Sequence, residues 1–523
     1  MFRIPFNVSQ VAQVTVAAID ASRTKSTGAG AGNYNFGGVV LSQSGEPFKL
    51  HRINSDNIEA QLGEPLHPRQ GLAAMSLRYA KEAVRGGEGY VVPVVGADAM
   101  RPIIGVEAPA VEGDPVVATA RVTPYTGDVS LEAGELMALY PVDGDVTNRT
   151  ISITPIADKE GFYNLLLVKN HTNGAQETKL DLEVSFDVEA LDDYGNPAYI
   201  EDVLDGDTPI RVIVSDTFSA TSFSNLAAVN FTGGTRGDLN ALQATDFDKA
   251  ISVLRNAMVE YLAVLPLGVL DPVIIRKLQD IALERRIDGF FDVPPTLSYA
   301  DAISWMNDNA FDAQSSCFYH FPYKTNDLYF SKNKAIWGIS SIGYLAKCKS
   351  VASVSGAVGG FHISPAGAER GVIERSGIEP LPNMGEPNYE AMVTARINKV
   401  ALHRGTLIID DALTATKVNN YLRFQHVTSL FNAISRRFYN AAMDVKHSTD
   451  DVTMDNLNSL MRDIGAQYTA AQALVTPRDP ERDGTEPFKW TIKQIELDLF
   501  KVEWWACPTG SSRRIAGSPI VIR

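Results

Sequence analysis

The sequence predicts a multidomain α/β protein. It has an α/β core assembled from discontinuous segments, an inserted β-rich domain, a carboxy-terminal α+β domain and extended strand arms at both ends. Three observations predict this. Strand and helix signals alternate on either side of a block that carries only β-type runs. That block, Asp98 to Asp205, holds 21 acidic against 6 basic residues, so its balance equals the net charge of -15 for the whole chain. Finally, apolar residues alternate with the period of a strand at the two ends. With 523 residues and 45% hydrophobic content, the chain exceeds what one core of roughly 250–300 residues accommodates.

Residues 1–32 read as an extended arm and tether. Phe2, Ile4, Phe6 and Val8 alternate, Val14 and Val16 resume the pattern, and a small, glycine-rich stretch from Ser22 to Gly32 follows. Residues 33–96 together with 206–385 form the α/β middle domain. Its strands are expected at Gly38–Leu41, Tyr90–Val95, Arg211–Val214, Leu262–Leu265 and Phe290–Val293, with helices near Gly71–Arg85, Phe247–Tyr261 and Pro272–Arg286. Alternation implies parallel strands joined by crossover helices. Phe247, Ile251, Leu254 and Met258 share one helical face, and Pro272 suits a first helical turn.

Residues 97–205 form the inserted acidic domain, with runs at Val116–Val122, Arg149–Ile156 and Leu180–Val188. A charge excess of this kind keeps an outward surface soluble and self-avoiding. Residues 386–523 form the last domain. A strand at Gly405–Ile409 precedes helices around Tyr421–Asp444 and Asp455–Ala473. Trp490, Ile492, Ile495, Leu497 and Leu499 then mark a long strand or hairpin whose register slips once, the signature of a bulge. The chain closes on the β-prone Ile520, Val521 and Ile522.

Catalytic patterns are missing. No phosphate-binding loop, nucleophile elbow, HExxH or EF-hand sequence occurs. Cys317 and His320 lie on an expected strand and read as packing residues, Thr232–Asp238 as a structural turn, and Asp143–Asp145 as an acidic turn before a calcium site. Cys317, Cys348 and Cys507 are too few and scattered for a disulfide framework or zinc site. No apolar run of about 18 residues appears, so no membrane insertion is expected, and no secretory signal is read at the amino terminus. No enzyme activity, cofactor, metal or direct nucleic-acid contact is expected.

Against this background several segments carry a likeness in their order. These are Ile53–Glu64 with Gly86-Gly87 and Tyr90–Val95; Phe231–Asp238 followed by Asp246–Ala250; Ser364-Pro365-Ala366-Gly367 with Arg370-Gly371; and Asn398, Gly405 and Leu413-Thr414. Together they resemble the contractile tail sheath family of phages, pyocins and type VI secretion systems. The resemblance departs at Gly338-Ile339-Ser340-Ser341 and at Ile409–Thr414.

The resemblance implies a structural subunit that polymerises in stacked hexameric rings around a tail tube protein. Baseplate and tail terminator or neck proteins would meet its ends, and contraction would drive the tube through a host envelope for genome delivery. Its place would be the phage tail of a virion, assembled in the host cytoplasm. The terminal arms, Phe2 to Asp20 and Ile515 to Arg523, would add as strands to the Trp490–Trp504 region of neighbouring subunits. Arg423, Arg436, Arg437 and Lys446, in the mildly basic last domain, are the expected tube-facing residues. A pyocin or type VI-like secretion sheath is the near alternative, and an α/β enzyme with an appended β domain the distant one.

Overall fold

The computed structural model describes residues 34–109, 115–171, 174–205, 208–216, 218, 223–496 and 499–513. The largest element is a seven-stranded sheet in the order Ile397–Asn398, Ser316–Tyr319, Asp288–Asp292, Ala263–Leu265, Phe36–Val40, Gly89–Pro93 and His51–Ile53. All neighbours run parallel except the last pair. Its strands are buried almost throughout, the pattern of a sheet with helices on its faces. Gly38 has a packing reason to lack a side chain, since a Cβ there would stand 2.5 Å from the Leu265 carbonyl oxygen.

The helices covering this sheet include Ser76–Ala83, Asp248–Asn256, Pro272–Glu284 and Ser340–Ala352. The Asp271 carboxylate accepts from the amides of Val273 (2.7 Å) and Ile274 (3.3 Å), and Pro272 follows in the first turn, as its sequence position predicts. One expectation fails nearby. The helix stops at Asn256, and Met258, assigned to its sheet-facing side, is fully exposed. Arg285 draws the chain out of the helix by donating to the carbonyls of Arg255 (2.9 Å), Ala257 and Val259 (3.1 Å), while the Tyr261 hydroxyl takes the Leu254 carbonyl at 2.8 Å.

After Gly89–Pro93 the chain leaves the sheet and builds two four-stranded antiparallel sheets. One orders as Ile210–Val214, Glu135–Pro141, Met100–Glu107 and Val117–Pro124. The other orders as Leu226–Asn230, Arg149–Pro155, Phe162–Asn170 and Gln176–Ser185. Ile104, Leu139, Ile151, Leu165 and Val184, drawn from both sheets, share one buried core, as in a sandwich. Arg211–Val214, read from sequence as one of the parallel strands, pairs antiparallel with Met137–Tyr140 in this sandwich. Antiparallel pairing therefore continues past residue 205, and Phe231 still packs in the sandwich core. Short apolar strands carry no signal for the direction of pairing, which long-range contacts decide.

Ile397–Asn398 joins the edge of the large sheet beside Ser316–Tyr319, so residues past 385 complete the core begun at Phe36. The hairpin Val400–His403 with Thr406–Ile409 turns at Arg404 and Gly405, both at positive φ (49° and 83°), the geometry of a two-residue turn. Helices Gln425–Val445 and Asp450–Ala470 then pack against the hairpin Phe488–Glu496 and Leu499–Ala506 around a third core that includes Leu430, Ile434, Met461, Ile464, Tyr468 and Phe488.

Candidate assembly surface

The closing hairpin forms as its alternation requires, with Trp490 opposite Trp504, Ile492 opposite Val502, and a register shift between Gln494 and Glu496. Its inner face rests on the two helices. Trp490 Nε1 donates to Asn458 Oδ1 at 3.1 Å, Gln494 to Asp450 at 3.1 Å, and the Phe438 and Trp504 rings lie 5.0 Å apart. The opposite face shows Lys489, Thr491, Lys493, Lys501 and a half-exposed Trp505 to solvent. Both long edges of this two-stranded sheet pair with no other strand among the described residues. An open edge is a row of unpaired donors and acceptors, and two strands alone make a marginal sheet. The surface is chemically suited to receiving further strands.

Of the expected strand-exchange residues, Trp490 and Ile492 are half-buried against the helices, whereas Ile495 and Leu499 are 54% and 48% exposed at the far end. Phe2, Ile4, Phe6, Val8, Val14, Val16, Leu497, Ile520, Val521 and Ile522 lie outside the described residues. The root of the carboxy-terminal segment is fixed. Thr509 N donates to the Ala473 carbonyl at 3.0 Å, and Arg513 clasps Asp411 through two bonds of 2.7 and 2.6 Å.

The four basic candidates do not share one exposed patch. The Arg436 guanidinium donates to the Arg286 carbonyl and lies 5.5 Å from the Phe361 ring centroid, and its burial lowers its pKa. Arg437 lies 6.0 Å from the Tyr468 ring, and Arg423 sits over Phe424 and bonds Asn419. Lys446, just past the helix end, is exposed. A groove of about 390 Å³ between helix Gln425–Val445 and the hairpin end is lined by Tyr421, Leu422, Phe431, Ala506 and Pro508 among others, and no sequence pattern announces it. Its parts are distant in sequence and share no period.

Cys317, His320, Asp143 and Asp145 are engaged in packing, hydrogen bonds and ion pairs. Cys317 and His320 are buried; burial raises the thiol's pKa well above its usual range and lowers the imidazole to about 4, with Nε2 bonded to the Leu297 carbonyl. The Asp143 and Asp145 carboxylates hold Arg149 (2.8 Å) and Lys169 (2.9 Å). Among the described residues no three His, Cys, Asp or Glu side chains gather as metal ligands, and no helix is long and apolar enough to cross a membrane.

These features define an α/β chain with an interposed β sandwich and a closing hairpin open at both edges. No protein-family model matches the sequence, and no curated protein does. Solved structures do. The sheath tail protein of Listeria innocua superposes with a TM-score of 0.54 at 11% identity, over 94% of this chain and 95% of that one. The sheath tail protein of Desulfitobacterium hafniense gives 0.49 at 11% identity, over 91% and 96%. The sheath of the extracellular contractile injection system PVC, in its contracted state, gives 0.41 at 13%, over 52% and 74%. The Listeria innocua likeness shows that this chain has the fold of a sheath tail protein.

Proposed function

We propose that this chain is the sheath subunit of a contractile tail, a structural protein that polymerises as a helical sleeve around a tail tube. The observation carrying this reading is a fold shared along nearly the whole length of both chains with the Listeria innocua sheath tail protein. The hairpin Phe488–Glu496 and Leu499–Ala506, open at its edges, supplies a physical route.

A strand from a neighbouring copy satisfies the edge's backbone groups and buries alternate side chains on it. Such contacts are head-to-tail, so they propagate as a helix instead of closing on a dimer. The alternating segments Phe2–Val16 and Ile520–Ile522 are the strands we assign to this role. The acidic sandwich faces outward, and the last domain faces the tube, with Lys446 its accessible basic contact. Contraction is a rigid-body rearrangement of subunits that drives the tube through a host envelope, as in a phage tail.

Negative-stain microscopy of the full chain tests the proposal, beside chains lacking residues 2–20 or 515–523. Sleeves from the full chain and dispersed monomers from both truncations are expected. A full chain that stays monomeric at high concentration would sink the reading. Truncations that assemble as well as the parent would sink the strand assignment.

A further inference from the structure

The β sandwich meets the α/β core at a buried knot of charge. Gly45 N donates to the Asp143 carbonyl at 2.6 Å, and Arg236 Nη1 donates to the carbonyls of Gly45 (2.9 Å) and Gly144 (3.2 Å). Arg149 reaches Asp143 Oδ2 at 2.8 Å with Nη1 and the Asp145 carbonyl with Nη2. Arg101 lies 5.0 Å from the Tyr125 ring centroid and 3.8 Å from Glu46. Arg149, Tyr125 and Arg236 are 1%, 4% and 5% exposed.

These contacts leave two things unexplained. Arg236 Nε and Nη2, the paired donors along one edge of its guanidinium, have no partner among the described residues. Neither do Arg149 Nε, Arg101 Nε or the Tyr125 hydroxyl. Roughly 90% or more of buried polar groups are paired, by protein or by ordered solvent. Five orphans in one cluster therefore point to something they hold in common, and the Tyr125 hydroxyl lies in the field of all three arginines.

The second is charge. Arg101, Arg149, Arg236 and Lys169 face Asp143, Asp145 and Glu46, and Glu46 is shared with Lys49 at 3.1 Å. Among these groups the positive charges outnumber the negative by at least one. Burial accordingly lowers the Arg236 pKa to about 10.

We propose that this junction binds one small monovalent inorganic anion of the chloride class, held by the open edge of Arg236 and the Tyr125 hydroxyl, and that the ion fastens the sandwich to the core. A guanidinium edge presents two parallel donors to one acceptor. The nearby carboxylates of Asp143 and Asp145 disfavour a multivalent anion more than a monovalent one.

Thermal unfolding of the unassembled full chain is followed in sodium chloride and sodium bromide, against sodium gluconate at equal ionic strength. The halides raise the midpoint saturably, whereas the bulky gluconate does not. Tyr125→Phe keeps the ring beneath Arg101 but removes one donor, so half-saturation moves to about tenfold more chloride. Crystals soaked in bromide show an anomalous peak beside Arg236 Nε and Nη2. Equal responses to the three salts, an unchanged halide response in Tyr125→Phe, or bromide only at surface sites would each overturn the proposal.

Discussion

Replacing Arg375 with methionine removes the cation from a buried ion pair between the early and late parts of the core. Arg375 donates to Glu82 through Nε (2.7 Å) and Nη2 (2.6 Å), and to the carbonyls of Trp337 (3.0 Å) and Gly338 (2.5 Å). Its guanidinium lies 4.1 Å from the Trp337 ring centroid, and the two side chains are 2% and 1% exposed. Methionine preserves most of the apolar stem but leaves Trp337 Nε1, at 3.1 Å, as the remaining donor to Glu82 among the described residues.

Breaking a buried pair from one side costs about 3–5 kcal/mol, because the surviving charge is stranded. Two carbonyls lose their donor as well, which places the expected loss at the upper end of that range. A native stability of about 5–15 kcal/mol makes such a loss plain to see. Urea titration followed by tryptophan fluorescence measures it, with Trp337 as a probe inside the affected region. Glu82→Gln removes the stranded charge, so Arg375→Met should cost about 1–3 kcal/mol less in that background. A loss below about 1 kcal/mol, the range of exposed pairs, or the same loss in both backgrounds, would refute the reasoning.

Asp292 accepts from the amides of Ile339 and Ser340, yet burial raises its pKa to about 6. The folded state thus holds this proton more tightly than the unfolded chain. The carboxylate disfavours folding above pH 6, and that penalty fades as pH falls towards 4. The stability of wild type minus that of Asp292→Asn should therefore rise by about 3 kcal/mol from pH 7 to pH 4, and a flat or falling difference in urea titrations would contradict this. Gly38→Ala forces a methyl against the Leu265 carbonyl at 2.5 Å and should lower stability by about 1–3 kcal/mol, read as an earlier thermal midpoint. Asp271→Ala removes the cap of helix Pro272–Glu284 and should cost about 1 kcal/mol, with native-state hydrogen exchange rising first at Val273 and Ile274. Lys446→Glu should weaken tube-templated sleeve formation in low salt without altering the melting curve; unchanged assembly would remove Lys446 from the tube contact.

The clearest sequence signals were local ones. Pro272 in a first helical turn and the alternation of Trp490 and Ile492 each encode a backbone geometry within a few residues, and each appears where the pattern puts it. Met258 shows the limit of such reasoning. Its spacing from Leu254 is helical, but Arg285, thirty residues from Arg255 along the chain, takes the carbonyls that the next helical turn would need. Arg436 and Arg437 likewise read as a basic surface pair. Phe361 and Tyr468, which they lie against, come from a separate loop and a separate helix, and periodicity does not report such neighbours.

The sequence by itself determined the kinds of element, most of their positions and the acidic character of the segment that interrupts the core, because propensity, capping and charge act over short distances. Only the tertiary structure decided that Ile210–Val214 turns antiparallel into the sandwich, that Ile397–Asn398 completes the sheet begun at Phe36, and that Arg236 is buried between two units. Those outcomes rest on pairings between residues some 70 to 190 positions apart. Their free energy exists only once the whole chain has folded around them.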